Sequence, residues 1–225
     1  MLDLLLTPAQ FGRDITPEYL VSALVVIFLA IGIHEYCHAK FADMAGDPTA
    51  RIHGRVTLNL FNHFDPIGTM MIIFTVLAGF GIGWGRPVPM NPAKMRNPRW
   101  DHFAAVAAGP LSNLAQAVVY AFILRGMVVA GIDAPALVLF AFIGVTINLA
   151  LFFFNLIPLG PLDGMWILGT FLPSRTADRW TYWNMKYGMY AFLGILMLGW
   201  FTPFNPISLV LGPPVMALRS LLTGL

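Results

Sequence analysis

The segment Leu29 to Phe41 reads LAIGIHEYCHAKF and places two imidazoles and a carboxylate close together. His34 and His38 are four residues apart, so on a helix both imidazoles project from one face, about one turn apart. That spacing lets them share one zinc ion. Glu35 lies about 100° around the helix, near enough to reach a metal-bound water without ligating the metal. The pattern HExxH therefore predicts a metal site that activates water.

The same segment closes an apolar run, YLVSALVVIFLAIGI, which begins at Tyr19. Ionisable side chains at membrane depth are costly, and they usually face a protein interior or a water-filled cavity. This setting favours a functional site. The alternative is that the three polar residues lie at the membrane interface, where they are hydrogen-bonded and structural.

A catalytic zinc ion usually takes three protein ligands and keeps one position for water. Asp163 is the better candidate for the third ligand, because it and Asn155 are the only polar side chains in ALFFFNLIPLGPLDGMWIL. Pro158 and Pro161 break the helix before it, and non-helical backbone at membrane depth is tolerated where it lines a cavity. The alternative is that Asp163 caps the next helix, and spacing alone does not separate cap from ligand. The remaining histidines lie in or beside polar loops, where a solvated imidazole is expected. They are His53, His63 and His102.

The composition indicates an integral membrane protein. Of 225 residues, 58% are hydrophobic and 11% charged, whereas soluble domains carry about a quarter charged residues. One membrane domain over residues 1–225 is expected at this length. A net charge of +2 gives no argument for nucleic acid as a partner. Cys37 is the only cysteine, which excludes an intrachain disulfide, and a small packing residue is its simplest interpretation.

The apolar runs predict an all-α polytopic membrane protein with about four to six transmembrane segments. Runs of near-spanning length cover about 19–41, 102–124, 136–157 and 187–203. The run 67–83 is short and glycine-rich, which favours a re-entrant segment. The tail carries Pro206, Pro213 and Pro214, so the C-terminal helices over 187–225 are expected to end in an interfacial or broken helix. The alternation in RIHGRVTLNLF predicts a short β-hairpin or edge strand near 51–61.

The basic residues predict the topology, because cytoplasmic loops are enriched in Lys and Arg. If the amino terminus is outside and 67–83 does not cross, ten of the thirteen basic residues share one face. Arg13 and Arg125 are then outside. We therefore expect a multi-pass protein of the cell (inner, cytoplasmic) membrane whose site opens toward the cytoplasm. The ten are Lys40, Arg51, Arg55, Arg86, Lys94, Arg96, Arg99, Arg175, Arg179 and Lys186.

Three ordered motifs carry a family resemblance. HEYCH, AAGPLSN at 107–113 and FNLIPLGPLDG at 154–164 together resemble the site-2 protease family of intramembrane zinc metalloproteases. The likeness is greatest to the compact prokaryotic members that lack a PDZ domain, and it covers about 20–172. Three motifs in order are far more specific than HExxH alone.

The resemblance implies one zinc ion per chain, with His34, His38 and Asp163 as its ligands. It also implies that Glu35 is the general base. Asn155 opens the family's NxxPxxxxDG pattern, which makes it a candidate for holding the substrate backbone or the developing oxyanion.

Asn113, in GPLSN, is a weaker candidate for contacts near the site, and helix packing through Gly109 explains that motif equally well. The expected activity is hydrolysis of peptide bonds within or next to transmembrane segments of membrane proteins. The peptide would be extended, since a helix hides its carbonyls, and an edge near 51–61 or the re-entrant run would pair with it. A regulatory membrane partner is left open.

Two alternatives remain. One is a non-proteolytic zinc-binding membrane protein, such as a degenerate homologue, a scaffold or a transporter. A transporter usually shows repeated halves, and the sequence has none. The other is a membrane enzyme that uses the same zinc site on a non-peptide substrate.

Overall fold

A computed structural model describes residues 16–78 and 83–224 of the chain, and this part is helical. Among these residues four helices are long and apolar enough to cross a membrane, which confirms the all-α polytopic class. These four are α1 (Pro17–Met44), α4 (Trp100–Val129), α5 (Pro135–Asn155) and α9 (Pro206–Thr223). The shorter helices are α2 (Thr49–Ile52), α3 (Pro66–Ala78), α6 (Gly164–Phe171), α7 (Ser174–Trp183) and α8 (Met189–Phe201), with 3₁₀ turns at Leu60–His63 and Pro92–Lys94 and a π turn at Asn184–Gly188.

Helices α1, α4 and α5 form the centre of the molecule. Val26 of α1 packs against Ile143 of α5, and Ala42 of α1 packs near Ala105 of α4. Small side chains let helix backbones approach closely, and in a membrane this packing takes over the role that hydrophobic burial has in water. The close contact of α1 with α4 positions the two histidines of α1.

The C-terminal helix α9 corrects one expectation. The tail was expected to be interfacial or broken, yet Pro213 and Pro214 lie inside one continuous helix of 18 residues. Val215 packs in a cluster with Leu149, and the Arg219 guanidinium lies 5.1 Å from the centre of the Phe142 ring. Helix α9 thus runs antiparallel to α5. In a membrane helix, neighbouring helices can satisfy the backbone groups that a proline leaves without a hydrogen bond. The prolines of the tail therefore did not break the helix as predicted.

The run 187–203, predicted as a near-spanning segment, holds the end of the π turn Asn184–Gly188 and the helix α8. The π turn joins α7 to α8 without a break, so helical backbone runs continuously from Ser174 to Phe201. Phe192 and Leu196 pack against Leu162, and Phe154 joins the same cluster. Helix α8 thus packs against the carboxyl end of α5 and the loop that follows it, and α9 is the fourth candidate span.

The strand predicted near 51–61 is wrong. Helix α2, a turn at Gly54 with φ +66° and the 3₁₀ turn Leu60–His63 occupy this range. The alternating segment has no partner strand among the described residues. Gly54, in the left-handed region, also interrupts extended backbone. Within the described ranges the one isolated β-bridge joins Phe64 to Gly85 in antiparallel fashion.

That bridge brings together the two ends of the segment predicted as re-entrant. Helix α3 occupies its first part, and residues 79–82 of the predicted run 67–83 lie outside the described residues. The chain leaves at Phe64 and is back beside it at Gly85, as a re-entrant segment requires. Several predicted inside residues also gather at one end of the bundle: Arg96 donates to Met44 O at 2.9 Å, and Arg99 Nη2 donates to Thr170 O at 2.6 Å. Arg13 lies outside the described part.

Candidate metal centre

His34 and His38 lie buried on the face of α1 that meets α4. Their rings meet edge to face, with centroids 4.5 Å apart, and their Nε2 atoms are 2.9 Å apart. The predicted one-turn spacing therefore converges both imidazoles on one point.

Asp163 joins them from the other side. Its Oδ2 is 3.3 Å from His34 Nε2 and 3.4 Å from His38 Nε2. Asp163 stands at the amino end of α6, but its side chain makes no capping hydrogen bond. The carboxylate thus points at the histidines, so the capping alternative does not describe where it lies.

Two of the three distances between the converging atoms, those to Asp163 Oδ2, match the spacing of zinc ligands, and the 2.9 Å between the two Nε2 atoms is somewhat shorter. Zinc ligands about 2.0 to 2.1 Å from a tetrahedral ion are about 3.3 to 3.4 Å from one another. In the described part of the chain, His34, His38 and Asp163 are the one group of three or more such residues that could hold a metal. Three protein ligands leave the fourth position for water or substrate.

The hydrogen bonds fix which nitrogens face the site. His38 Nδ1 donates to Ala105 O at 2.9 Å, and His34 Nδ1 donates to Asn113 Oδ1 at 2.7 Å. Both Nε2 atoms therefore present lone pairs to each other and to Asp163 Oδ2, which is buried without a hydrogen-bond donor. Three converging lone pairs repel one another unless a cation lies between them. The donor set therefore fits zinc.

Asn113 is held in turn by further hydrogen bonds. Its Nδ2 donates to Ala30 O at 3.2 Å and to Asn148 Oδ1 at 3.1 Å, and Asn148 Nδ2 donates to Gly144 O at 3.0 Å. These bonds leave Asn113 Oδ1 as the acceptor for His34. Sequence reasoning gave Asn113 only a weak role and missed Asn148. The available signal was the amide of Asn148 in the middle of the apolar run 136–157.

The close approach of α4 to the two histidines explains why the GPLSN motif begins with a glycine, Gly109. A Cβ there would lie 2.7 Å from His34 Nε2 and closer still to the His38 ring. Helix α4 thus passes directly over the histidine pair, and only a residue without a side chain leaves room for the site.

Glu35 lies beside the three converging atoms and is half-buried. The place where a Cβ on Gly85 would stand is 3.3 Å from Glu35 Oε1. The segment around Gly85 therefore lies close to this carboxylate. Glu35 adjoins His34 on α1, and its role as the base stays a prediction.

Asn155 is the last residue of α5, eight positions before Asp163, and is half-buried. Its Nδ2 donates to Leu151 O at 3.0 Å, within its own helix. The structure brings it to the same loop as Asp163 but gives it no hydrogen bond to the three candidate ligands. Its predicted contact with a substrate stays a prediction.

The other histidines take structural positions. The His53 ring bonds Thr49 O at 2.8 Å, His102 packs edge to face on Trp166, and His63 is fully buried. Burial lowers the pKa of His63 below its usual value. None belongs to the candidate metal group. Cys37 lies in an apolar groove of about 780 Å³ between α1 and α4, which agrees with a packing role.

Comparison with known proteins places a relative beside this chain. The chain is 38% identical over 206 residues to a Bacillus subtilis (strain 168) protein named "Putative zinc metalloprotease YwhC". The alignment covers 89% of this chain and 87% of the relative. No family model matches the chain, and no solved structure matches it.

Proposed function

The chain belongs to the zinc metalloprotease family of this Bacillus relative, and from that premise we propose that it cleaves membrane proteins within or next to their transmembrane segments. The proposal thus assigns the chain to a site-2 protease type of enzyme. The single observation that carries it is the convergence of His34, His38 and Asp163 beside Glu35, at the junction of apolar helices.

One zinc ion per chain would be held by the two histidines and Asp163. Bound there, zinc would supply Lewis acidity to water and to the scissile carbonyl. Glu35 would take the proton from the attacking water and return it to the leaving amine. The second amide proton of Asn155 would be free to stabilise the oxyanion or hold the substrate backbone.

The substrate would be a membrane-protein or peptide segment in extended form, since a helix buries its carbonyls in hydrogen bonds. The edge once expected near 51–61 is not formed. The extended backbone around Gly85, next to Glu35, is the better candidate for pairing with it. The chain would act in the cell (cytoplasmic) membrane, with the site reached from the cytoplasm. A membrane partner could regulate access.

The sharpest test is cleavage of a transmembrane peptide in liposomes made with H₂¹⁸O. Hydrolysis should place one ¹⁸O atom in the new carboxyl terminus, as read by mass spectrometry, and Glu35→Gln should abolish it. A variant at a packing residue of the same helix, Cys37→Ala, serves as the control and should cleave normally. Zinc bound with no peptide cleaved in any lipid would contradict the proposal and favour a non-proteolytic zinc protein.

A further inference from the structure

Arg55 is a buried cation that forms no direct salt bridge with a carboxylate of the described residues. Only 2% of its surface is exposed. Its guanidinium donates instead to backbone carbonyls: Nη1 to Pro87 O at 3.0 Å, and Nη2 to Arg86 O. Burying this charge without a direct ion pair is costly, and the Glu35 carboxylate offsets only part of that cost, at longer range.

The hydrogen bonds that hold residues 85–87 form a clamp, and His63 contributes to it together with Arg55. Its Nε2 donates to Thr57 O at 3.0 Å, which leaves Nδ1 to accept from Arg55 Nη2 at 3.4 Å. The His63 carbonyl accepts from Arg86 N at 2.7 Å. The segment at 85–87 is therefore held through its carbonyls by Arg55 and through its amide by His63.

The clamped segment lies close to the proposed base. A Cβ added at Gly85 would be 2.7 Å from Ile31 Cγ2 and 3.3 Å from Glu35 Oε1. The side chain of Glu35 thus has backbone on one side and the candidate metal ligands close by on its own helix. A shift of this backbone by about 1 Å would give the carboxylate room to turn away, a displacement that can cost about 100-fold in rate.

We propose that Arg55 is a positioning residue that holds Gly85–Pro87 against Glu35 and so confines this carboxylate beside the metal ligands. This inference rests on the proposed function. The fork shape of the guanidinium matters as well as its charge, because it bonds two carbonyls and an imidazole at once. A lysine ammonium is a single point charge on a flexible stem and cannot reproduce this arrangement.

The test compares Arg55→Lys and Arg55→Gln with Arg175→Gln in the full chain in detergent. Arg175 is the matched control, because it is an exposed arginine on α7, outside the segment 85–87. Zinc content, kcat and KM on a transmembrane peptide, and amide exchange over 84–88 are measured. Both Arg55 variants should keep zinc and KM, lose kcat by about 10- to 100-fold and exchange faster over 84–88. Arg175→Gln should match the parent.

Normal kcat in zinc-loaded Arg55→Lys would overturn the inference, as would a rise in KM at constant kcat. If Arg55→Gln does not fold, Arg55→Lys decides the matter alone. If the parent cleaves no peptide, the proposed function fails. The exchange measurement still decides the clamp: unchanged exchange over 84–88 in Arg55→Lys overturns it, and faster exchange supports it.

Discussion

The Nδ1 atom of His34 donates its proton to Asn113 Oδ1 at 2.7 Å, across the contact between α1 and α4. The bond directs the lone pair of His34 Nε2 toward His38 and Asp163. A residue on a second helix thereby orients a ligand of the candidate metal centre, as partners of metal-bound histidines usually do.

Replacing Asn113 by Leu should lower zinc affinity by about 10- to 100-fold, because His34 loses the acceptor that fixes its tautomer. Zinc competition with a fluorescent chelator measures this. Gln116→Leu on the same helix, three residues along, is the control and should bind zinc like the parent. Equal affinity in Asn113→Leu would show that the hydrogen bond serves packing alone.

Gly109→Ala should abolish zinc binding, because its methyl group would occupy the space of both imidazoles. Gly126→Ala is the matched control on the same helix, since a Cβ there meets nothing within 4 Å. It should bind zinc normally and stabilise the exposed helix by about 1 kcal/mol at most. Metal analysis of both purified variants gives the answer, and a full zinc complement in Gly109→Ala would refute the geometry.

Asp163→Asn should lose zinc while the helix content stays the same. The side chain makes no capping bond to α6, so removing its charge costs that helix little. Circular dichroism and metal analysis on one sample separate the two roles. A variant that keeps zinc but loses helix would mean that Asp163 is a cap.

The region around His63 should open as the pH falls. Burial holds the pKa of His63 below its usual 6.5, with the Arg55 cation lowering it further. Above about pH 6.5 the ring is neutral whether the region is closed or open, so the full stability is present. Below that pH the open form takes up a proton first, and stability falls by at most about 1.4 kcal/mol per pH unit.

Amide exchange over 84–88 at pH 7.5 and 5.5, corrected for intrinsic rates, measures this opening. His63→Gln should remove the extra opening at low pH. If the parent and the variant respond equally to pH, another group is responsible.

Much of this arrangement could be predicted from the sequence, because local patterns carry it. Apolar runs predicted α1, α4 and α5, and the spacing of His34 and His38 predicted one shared face. Asp163 required a long-range contact that no local pattern shows, and prolines marked only the break before it.

The incorrect predictions also failed because they depended on contacts between residues that are far apart in the sequence. The alternating pattern at 51–61 predicted a strand, but it has no partner strand among the described residues. Helix α9 continues through Pro213 and Pro214 while it packs against α4 and α5, and the sequence alone does not reveal that packing. Asn148 escaped notice because its role depends on Asn113, 35 residues away along the chain.

The most direct test of the central claim measures zinc content and peptide cleavage on the same preparations of the parent, Glu35→Gln and His34→Ala. The parent should carry one zinc ion and cleave a transmembrane peptide. Glu35→Gln should keep the zinc and lose cleavage by at least about 100-fold, because it lacks only the base. His34→Ala should lose both. Zinc-loaded Glu35→Gln that cleaves at the parent's rate would contradict the account.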